Sequence, residues 1–230
     1  MELPKQIRLN KYLASSGICS RRSADELIKS GKVFLNGKKA VLGDTFLPGD
    51  VVKVNSKVVK QKEKKVYLAY NKPKGVICTA DKESKNNIVA AVNYPTRIFP
   101  VGRLDVASTG LIFLTNDGDW ANRLMHPKYV HEKEYRVTVD KTVDRQFLNN
   151  LTHGVKLGNV KAKADDAVKT GDREMLLTLH QGLNRQIRRM CEKLGYQVLE
   201  LKRIRIGNFL LDNLPVGQSK KLTALEAEKI

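Results

Sequence analysis

Apolar residues recur along this chain with two different spacings, and the change between them divides it. Near the N-terminus, Leu9, Tyr12 and Leu13 are spaced for one face of a helix that Gly17 is suited to end. Ser20 can cap a second helix carrying Ala24, Leu27 and Ile28 and stopping near Gly31. In KVFLNGKKAV the apolar stretches flank Asn36-Gly37, a hairpin signal, and Pro48-Gly49 turns the chain again before DVVKV. Residues 1–60 thus read as a small unit of two helices followed by short antiparallel strands. The polar stretch KVVKQKEKK (57–65) reads as a connection, with the linker itself at 61–65.

Beyond it, strand-like and helix-like segments are mixed. VYLAYN, RIFPVG, LIFLTN, EYRVTVD, EMLLTLHQ and VLELKRIRI read as strands, and RQFLNNLTHG and NRQIRRMCEKLG as helices ending at Gly154 and Gly195. Several connections have hairpin length. The fold class predicted for residues 66–230 is therefore α+β, on a mixed and largely antiparallel sheet.

Charge changes the picture. Forty-two Lys and Arg against 24 Asp and Glu leave a net +18, which attracts a polyanion. The first 65 residues hold 15 basic and 6 acidic side chains and the other 165 hold 27 and 18. Each part is +9, so the small unit is the more densely charged, as an RNA-anchoring module would be. No apolar run approaches the ~18 residues of a membrane span, and MELPKQIRLNKYL lacks a secretory apolar core. Cys19, Cys78 and Cys191 are odd in number and far apart, and the four histidines show no ligand spacing against them. A disulfide framework or zinc site is not expected, and a cytoplasmic protein with buried, reduced cysteines is.

Two stretches could carry chemistry. In RLNKYLASSGICSRRSADELIKSGKVFLNG, the cations Arg8, Lys11, Arg21, Arg22, Lys29 and Lys32 surround the apolar helix positions. In FPVGRLDVASTGLIFLTNDGD (99–119), a loop holding Arg103 and Asp105 precedes a buried strand that ends in an Asn116-Asp117-Gly118 turn. From spacing alone, an Arg and an Asp two residues apart fit a structural pair better than a catalytic site.

The first stretch resembles the S4 RNA-binding domain over about residues 6–54, through its basic helix pair, the Gly31–Gly37 hairpin and the Pro-Gly-Asp turn at 48–50. By itself that implies RNA binding through shape and phosphates. The second resembles the signature of the RsuA-type pseudouridine synthases, Gly-Arg-Leu-Asp followed by Thr-Gly-Leu and Leu-Thr-Asn-Asp-Gly. Asn71-Lys72-Pro73-Lys74-Gly75, His131-Glu132-Lys133-Glu134-Tyr135 and Gln181 to Met190 resemble further motifs of that family, in its order. Among its members the pattern is most similar to the large-subunit ribosomal RNA synthases of the F type.

This resemblance implies a cofactor-free isomerisation, with no ATP, metal or redox group: uracil is detached from C1′ of ribose, rotated and rejoined through C5. It implies that Asp105 is catalytic, either attacking covalently or removing a sugar proton. Arg188 would be the cation that keeps this carboxylate ionised, and Tyr135 would lie against the uracil with its hydroxyl available for proton transfer. Arg103 would help extrude the target base from its stem. Arg185 and Arg189 are expected to face phosphates. Lys72, Lys74, Arg203 and Arg205 are further candidate RNA contacts, and the histidines carry no assigned chemistry. The implied partner is ribosomal RNA, a large-subunit stem-loop, with transfer RNA as a second candidate; no membrane is involved and a monomer is expected. The competing expectation is a non-catalytic RNA-binding or ribosome-assembly protein built on the same two folds.

Overall fold

The computed structural model describes residues 6–60, 64–81, 83–126, 128–129 and 131–230. It forms two compact units that divide between Lys65 and Val66.

In the first unit the helices Leu9–Ser15 and Arg21–Lys29 arise as the spacing predicts. Ser20 Oγ accepts from the Ser23 amide at 3.0 Å, which satisfies one of the helix's otherwise unpaired first N–H groups. Asn36 and Gly37 both adopt positive φ (50° and 80°), as a two-residue hairpin between Val33–Leu35 and Lys38–Lys39 requires. Tyr12 stacks on Phe46 at 3.8 Å and donates its hydroxyl to the Val59 carbonyl at 3.2 Å. The polar stretch from residue 57 is not all connection. Lys57–Val58 pairs with Val52–Val54, and Val59 is buried in this unit's core. Alternation over two residues is too short a signal for sequence to register. Residues 61–63 of the expected linker lie outside the described residues.

The second unit is built on a mixed sheet of nine strands among the described residues. Its main path runs Asp166–Lys169, Glu174–Leu179, Lys133–Val139, Val198–Ile206, Thr109–Thr115, Tyr67–Lys72 and Ser219–Leu222. All of these neighbours are antiparallel except Val198–Ile206 with Thr109–Thr115, which is parallel. The fold is therefore α+β with a largely antiparallel mixed sheet, as the sequence predicts. The strands Tyr67–Lys72 and Thr109–Thr115 are buried on both faces, which explains why VYLAYN and LIFLTN read as largely apolar runs. Leu111 and Phe113 pack with Trp120 on one face, and Ile112 and Leu114 pack with Ile88 and Ile98 on the other.

Gly110 makes the parallel junction possible. It sits at φ +102°, and a Cβ there would lie 2.2 Å from the Arg203 carbonyl oxygen.

Three helices escape the sequence reading: Ile88–Val92, Gly118–Met125 and Ala224–Glu228. Asn116-Asp117-Gly118 is accordingly not a simple turn, because Asp117 caps the helix Gly118–Met125, accepting from the Asp119 and Trp120 amides. An Asp side chain reaches back to the backbone in the same way at a turn and at a cap, so the local signal is shared. Asp117 also accepts from the Tyr67 hydroxyl at 2.9 Å. Burial first, and then Asp117, pushes that hydroxyl's pKa up to about 12.

Candidate active site

Arg103 and Asp105 lie on the loop between the strands Phe99–Val101 and Thr109–Thr115. Sequence-distant segments hold that loop by its backbone. Gly75 N donates to the Val106 carbonyl at 2.8 Å, Leu104 N donates to Cys78 Sγ at 3.3 Å, and Arg188 Nη2 donates to the Ala107 carbonyl at 3.3 Å. The loop also closes on itself, Ser108 N donating to the Asp105 carbonyl at 3.0 Å. The result is a half-buried carboxylate on a loop pinned through its backbone.

A cavity of about 1400 Å³ opens above it, and Arg103, Asp105, Tyr135 and Arg185 all line it. Asp105 is the sole carboxylate in its lining among the described residues, against the cations Arg103, Lys133, Arg185 and Arg203. Tyr135 shares a strand with Val137 and Val139, which are fully buried, and is itself partly buried against two core clusters.

Arg188 stands beside this wall on the helix Gln186–Lys193. Burial, and then the neighbouring Arg185, lower its pKa, while Asp105 raises it, so the two charges attract. No direct ion pair joins them among the described residues. Nη1 donates to the Val198 carbonyl at 3.0 Å, Nη2 holds the Asp105 loop, and Nε is buried without a partner. Arg185 is exposed in a left-handed backbone conformation at φ 49°, and Arg189, also exposed, donates to the Asn184 carbonyl.

Lys72 corrects an expectation. It has no exposed side-chain surface and so does not offer a phosphate contact. Its Nζ donates to the Pro73 carbonyl at 2.9 Å and the Val106 carbonyl at 3.4 Å. Burial lowers its pKa, while Cys78 and Asp105 raise it. Lys72 therefore braces the Asp105 loop from beneath. It lies on a strand buried on both faces, a property that follows from the sheet order and not from the residue type. Arg205 is likewise engaged, with Glu132 and Glu134 at 3.2 Å each.

Three of the four histidines, His126, His131 and His180, line the cavity, although sequence assigned them no chemistry. His180 Nδ1 lies 2.6 Å from Asp165, which also accepts the His180 backbone N–H. Arg8, Arg21 and Arg22 are exposed in the first unit, Arg8 donating to the Gly43 carbonyl at 2.8 Å, and Lys11 is half-buried there. Among the described residues no cluster of His, Cys, Asp and Glu could hold a metal, and no helix is long and apolar enough to cross a membrane.

Residues 66–193, more than half of the chain, match the family model described as RNA pseudouridylate synthase. The chain belongs to that family. Residues 7–52 match the S4 domain. The synthase chain is 48% identical over 219 residues to the dual-specificity RNA pseudouridine synthase RluF of Escherichia coli strain K12, covering 94% of this chain and 76% of that one. It is 40% identical over 232 residues to the ribosomal large subunit pseudouridine synthase B of Bacillus subtilis strain 168, covering 97% and 95%. A crystal structure of a pseudouridylate synthase superposes with TM-score 0.70 at 30% identity, covering 97% and 99% of the two chains. An S4 domain joined to a pseudouridine synthase is thus the architecture of this RNA-modifying enzyme, and the competing expectation of a non-catalytic RNA-binding protein falls away.

Proposed function

We propose that this synthase isomerises a uridine in a large-subunit ribosomal RNA stem-loop, with Asp105 as its catalytic group. One observation carries the reading: among the described residues, Asp105 is the lone carboxylate lining a cavity whose other charged groups are cations. A carboxylate must be ionised to attack C1′ or to take a sugar proton, and burial alone disfavours that form. Lys72 beneath the loop and Arg188 beside it supply the compensating charge. Tyr135 lies against the uracil, while Arg103 and Arg185, exposed at the cavity, meet the RNA backbone or the gap left by the base. The names of the two relatives support the RNA address, one being a ribosomal large subunit synthase and the other a dual-specificity RNA synthase; transfer RNA is the second candidate substrate. The enzyme acts as a cytoplasmic monomer.

Mapping pseudouridines in total RNA from cells with and without the gene tests the address. The loss of a large-subunit site, restored by the unmodified gene, is the expected outcome. Loss confined to transfer RNA would move the enzyme to that substrate.

Arg103 separates extrusion from simple binding. If it helps displace the target base, its work is greatest when that base is stacked, since unstacking costs a few kcal/mol and least for a base already free. Arg103→Ala should then slow single turnovers far more on a paired stem-loop than on one with the target uridine bulged. A phosphate clamp would instead give equal, salt-sensitive losses on both RNAs.

The S4 unit should anchor. The fragment 66–230 contains its own core clusters and should fold by itself. Without Arg8, Lys11, Arg21 and Arg22 its log affinity should fall less steeply with log salt than that of the whole chain. An unchanged slope would show those charges to be merely solvated.

A further inference from the structure

The cavity holds two cations for which the reading above has no use. Lys133 lies two residues before Tyr135 on one strand, and both line the cavity, whereas Glu134 between them does not. Arg203 lies directly opposite Tyr135 on the neighbouring strand Val198–Ile206, so the two side chains share a face. Arg203 is 96% buried by its 4% exposure, yet it also lines the cavity. Its Nε donates to the Leu111 carbonyl at 2.7 Å, and its Nη2 is buried without a partner among the described residues. Among the described residues Lys133 Nζ has one hydrogen-bond partner, the His131 carbonyl at 2.9 Å.

Among the described residues neither cation forms an ion pair. Glu132 and Glu134, the nearest carboxylates in sequence, are engaged by Arg205, and Asp105, across the same cavity lining, forms no ion pair with either cation. Burial, and then repulsion from Arg203, lower the pKa of Lys133. Two like charges brought together out of water, without a counter-ion, form an arrangement that an arriving anion relieves. Arg103 and Arg185 are exposed at the cavity, whereas this pair flanks Tyr135, the residue read as meeting the base.

We propose that Lys133 and Arg203 form a cationic floor that stabilises the uracil anion while it is detached from the ribose. The inference rests on the reading of Asp105 and Tyr135 given above. When the C1′–N1 bond breaks, its electron pair stays on N1 and spreads to O2 and O4. The electron deficiency at C1′ is met by Asp105, through covalent attack or through loss of a sugar proton to it. The free anion then turns, C5 bonds to C1′, Asp105 is released or returns its proton, C5 loses its proton, and N1 gains one. Donors fixed where that transient charge sits favour the detached state over the intact nucleoside. They also keep the base from escaping before it rejoins.

The test compares Lys133→Met and Arg203→Gln with the unmodified chain and with Asp105→Asn. Each is followed in single turnovers at saturating enzyme, on a stem-loop carrying either uridine or 5-fluorouridine at the target position. Fluorine stabilises the detached anion itself, so less is asked of the protein. Each cation variant should lose about 100-fold in glycosidic-bond cleavage on the uridine RNA, the order seen when one donor to a developing anion is removed. The loss on the fluorinated RNA should be clearly smaller, with RNA affinity within a few-fold. Equal losses on the two RNAs would mark a purely structural role. Weaker binding with an unchanged saturated rate would mark a phosphate contact, and either result overturns the proposal. Activity in Asp105→Asn would instead overturn the underlying site reading, so the two failures are distinguishable. If Arg203→Gln does not fold, Lys133→Met decides alone, since its head group gives up a single carbonyl contact.

Discussion

Asp105→Asn should abolish pseudouridine formation and leave RNA affinity within a few-fold. The substitution nearly preserves shape and removes the negative charge, the property that every plausible role of this residue requires. The loop will keep its course, because its clamps are made to backbone atoms: Gly75 to Val106, Arg188 to Ala107 and Cys78 to Leu104. Binding should survive because it is dominated by phosphate contacts from a chain of net charge +18. Removing a catalytic group of this kind typically costs roughly 10⁴-fold or more in turnover. Lys72 and Arg188 lose the attraction of the carboxylate, so a modest fall in unfolding temperature is expected beside the loss of activity. The measurement is pseudouridine yield by mass spectrometry, with an RNA-binding isotherm on the same preparation. Substantial isomerisation by the purified variant would remove Asp105 from the chemistry.

Gly110→Ala should have the largest effect on the fold. A non-glycine residue at φ +102° carries about 1–3 kcal/mol of backbone strain. The added methyl would also meet the Arg203 carbonyl oxygen at 2.2 Å and the Arg203 amide nitrogen at 2.7 Å. Neither atom belongs to a flexible side chain, so relief requires the strands Thr109–Thr115 and Val198–Ile206 to separate. Their parallel pairing joins the half of the sheet holding Asp105 to the half holding Tyr135. Strain and overpacking together amount to more than about 3 kcal/mol, against a typical domain stability of about 5–15 kcal/mol. Reduced soluble yield and a strongly lowered urea midpoint are expected. Gly118→Ala is the control, because Gly118 has ordinary φ and open space at its Cβ. Equal midpoints for the two variants would show that the junction tolerates a side chain.

Much of this molecule is legible in one dimension. The spacing of Leu9, Tyr12 and Leu13, the Ser20 cap and the Asn36-Gly37 turn each act within a few residues, and each is realised locally. The long strands are recognised because they bury apolar side chains on one face or both. The helix Gly118–Met125 is not legible in the sequence because its entry signal is shared with a turn, and because its commitment comes from outside. Trp120 is buried by Tyr67 and Phe113 at ring distances of 4.9 and 5.5 Å, and its Nε1 donates to the Ala227 carbonyl at 2.8 Å, more than a hundred residues away.

The same division runs through the site. Sequence by itself determined that this is a two-part basic protein, that the part after residue 65 is α+β, and that Arg103, Asp105, Tyr135 and Arg188 sit in motifs of an RNA-modifying family. Those properties depend on residue type, order and short-range spacing, which a sequence carries directly. Only the tertiary structure decided which cations face the cavity and which are buried beneath it. Lys72 and Arg203 look alike as candidate phosphate contacts in the sequence. Sheet order encloses Lys72 completely under the Asp105 loop, whereas cross-strand register sets Arg203 opposite Tyr135 in the cavity wall. Register and strand order depend on pairings between residues scores of positions apart, and no local pattern contains them.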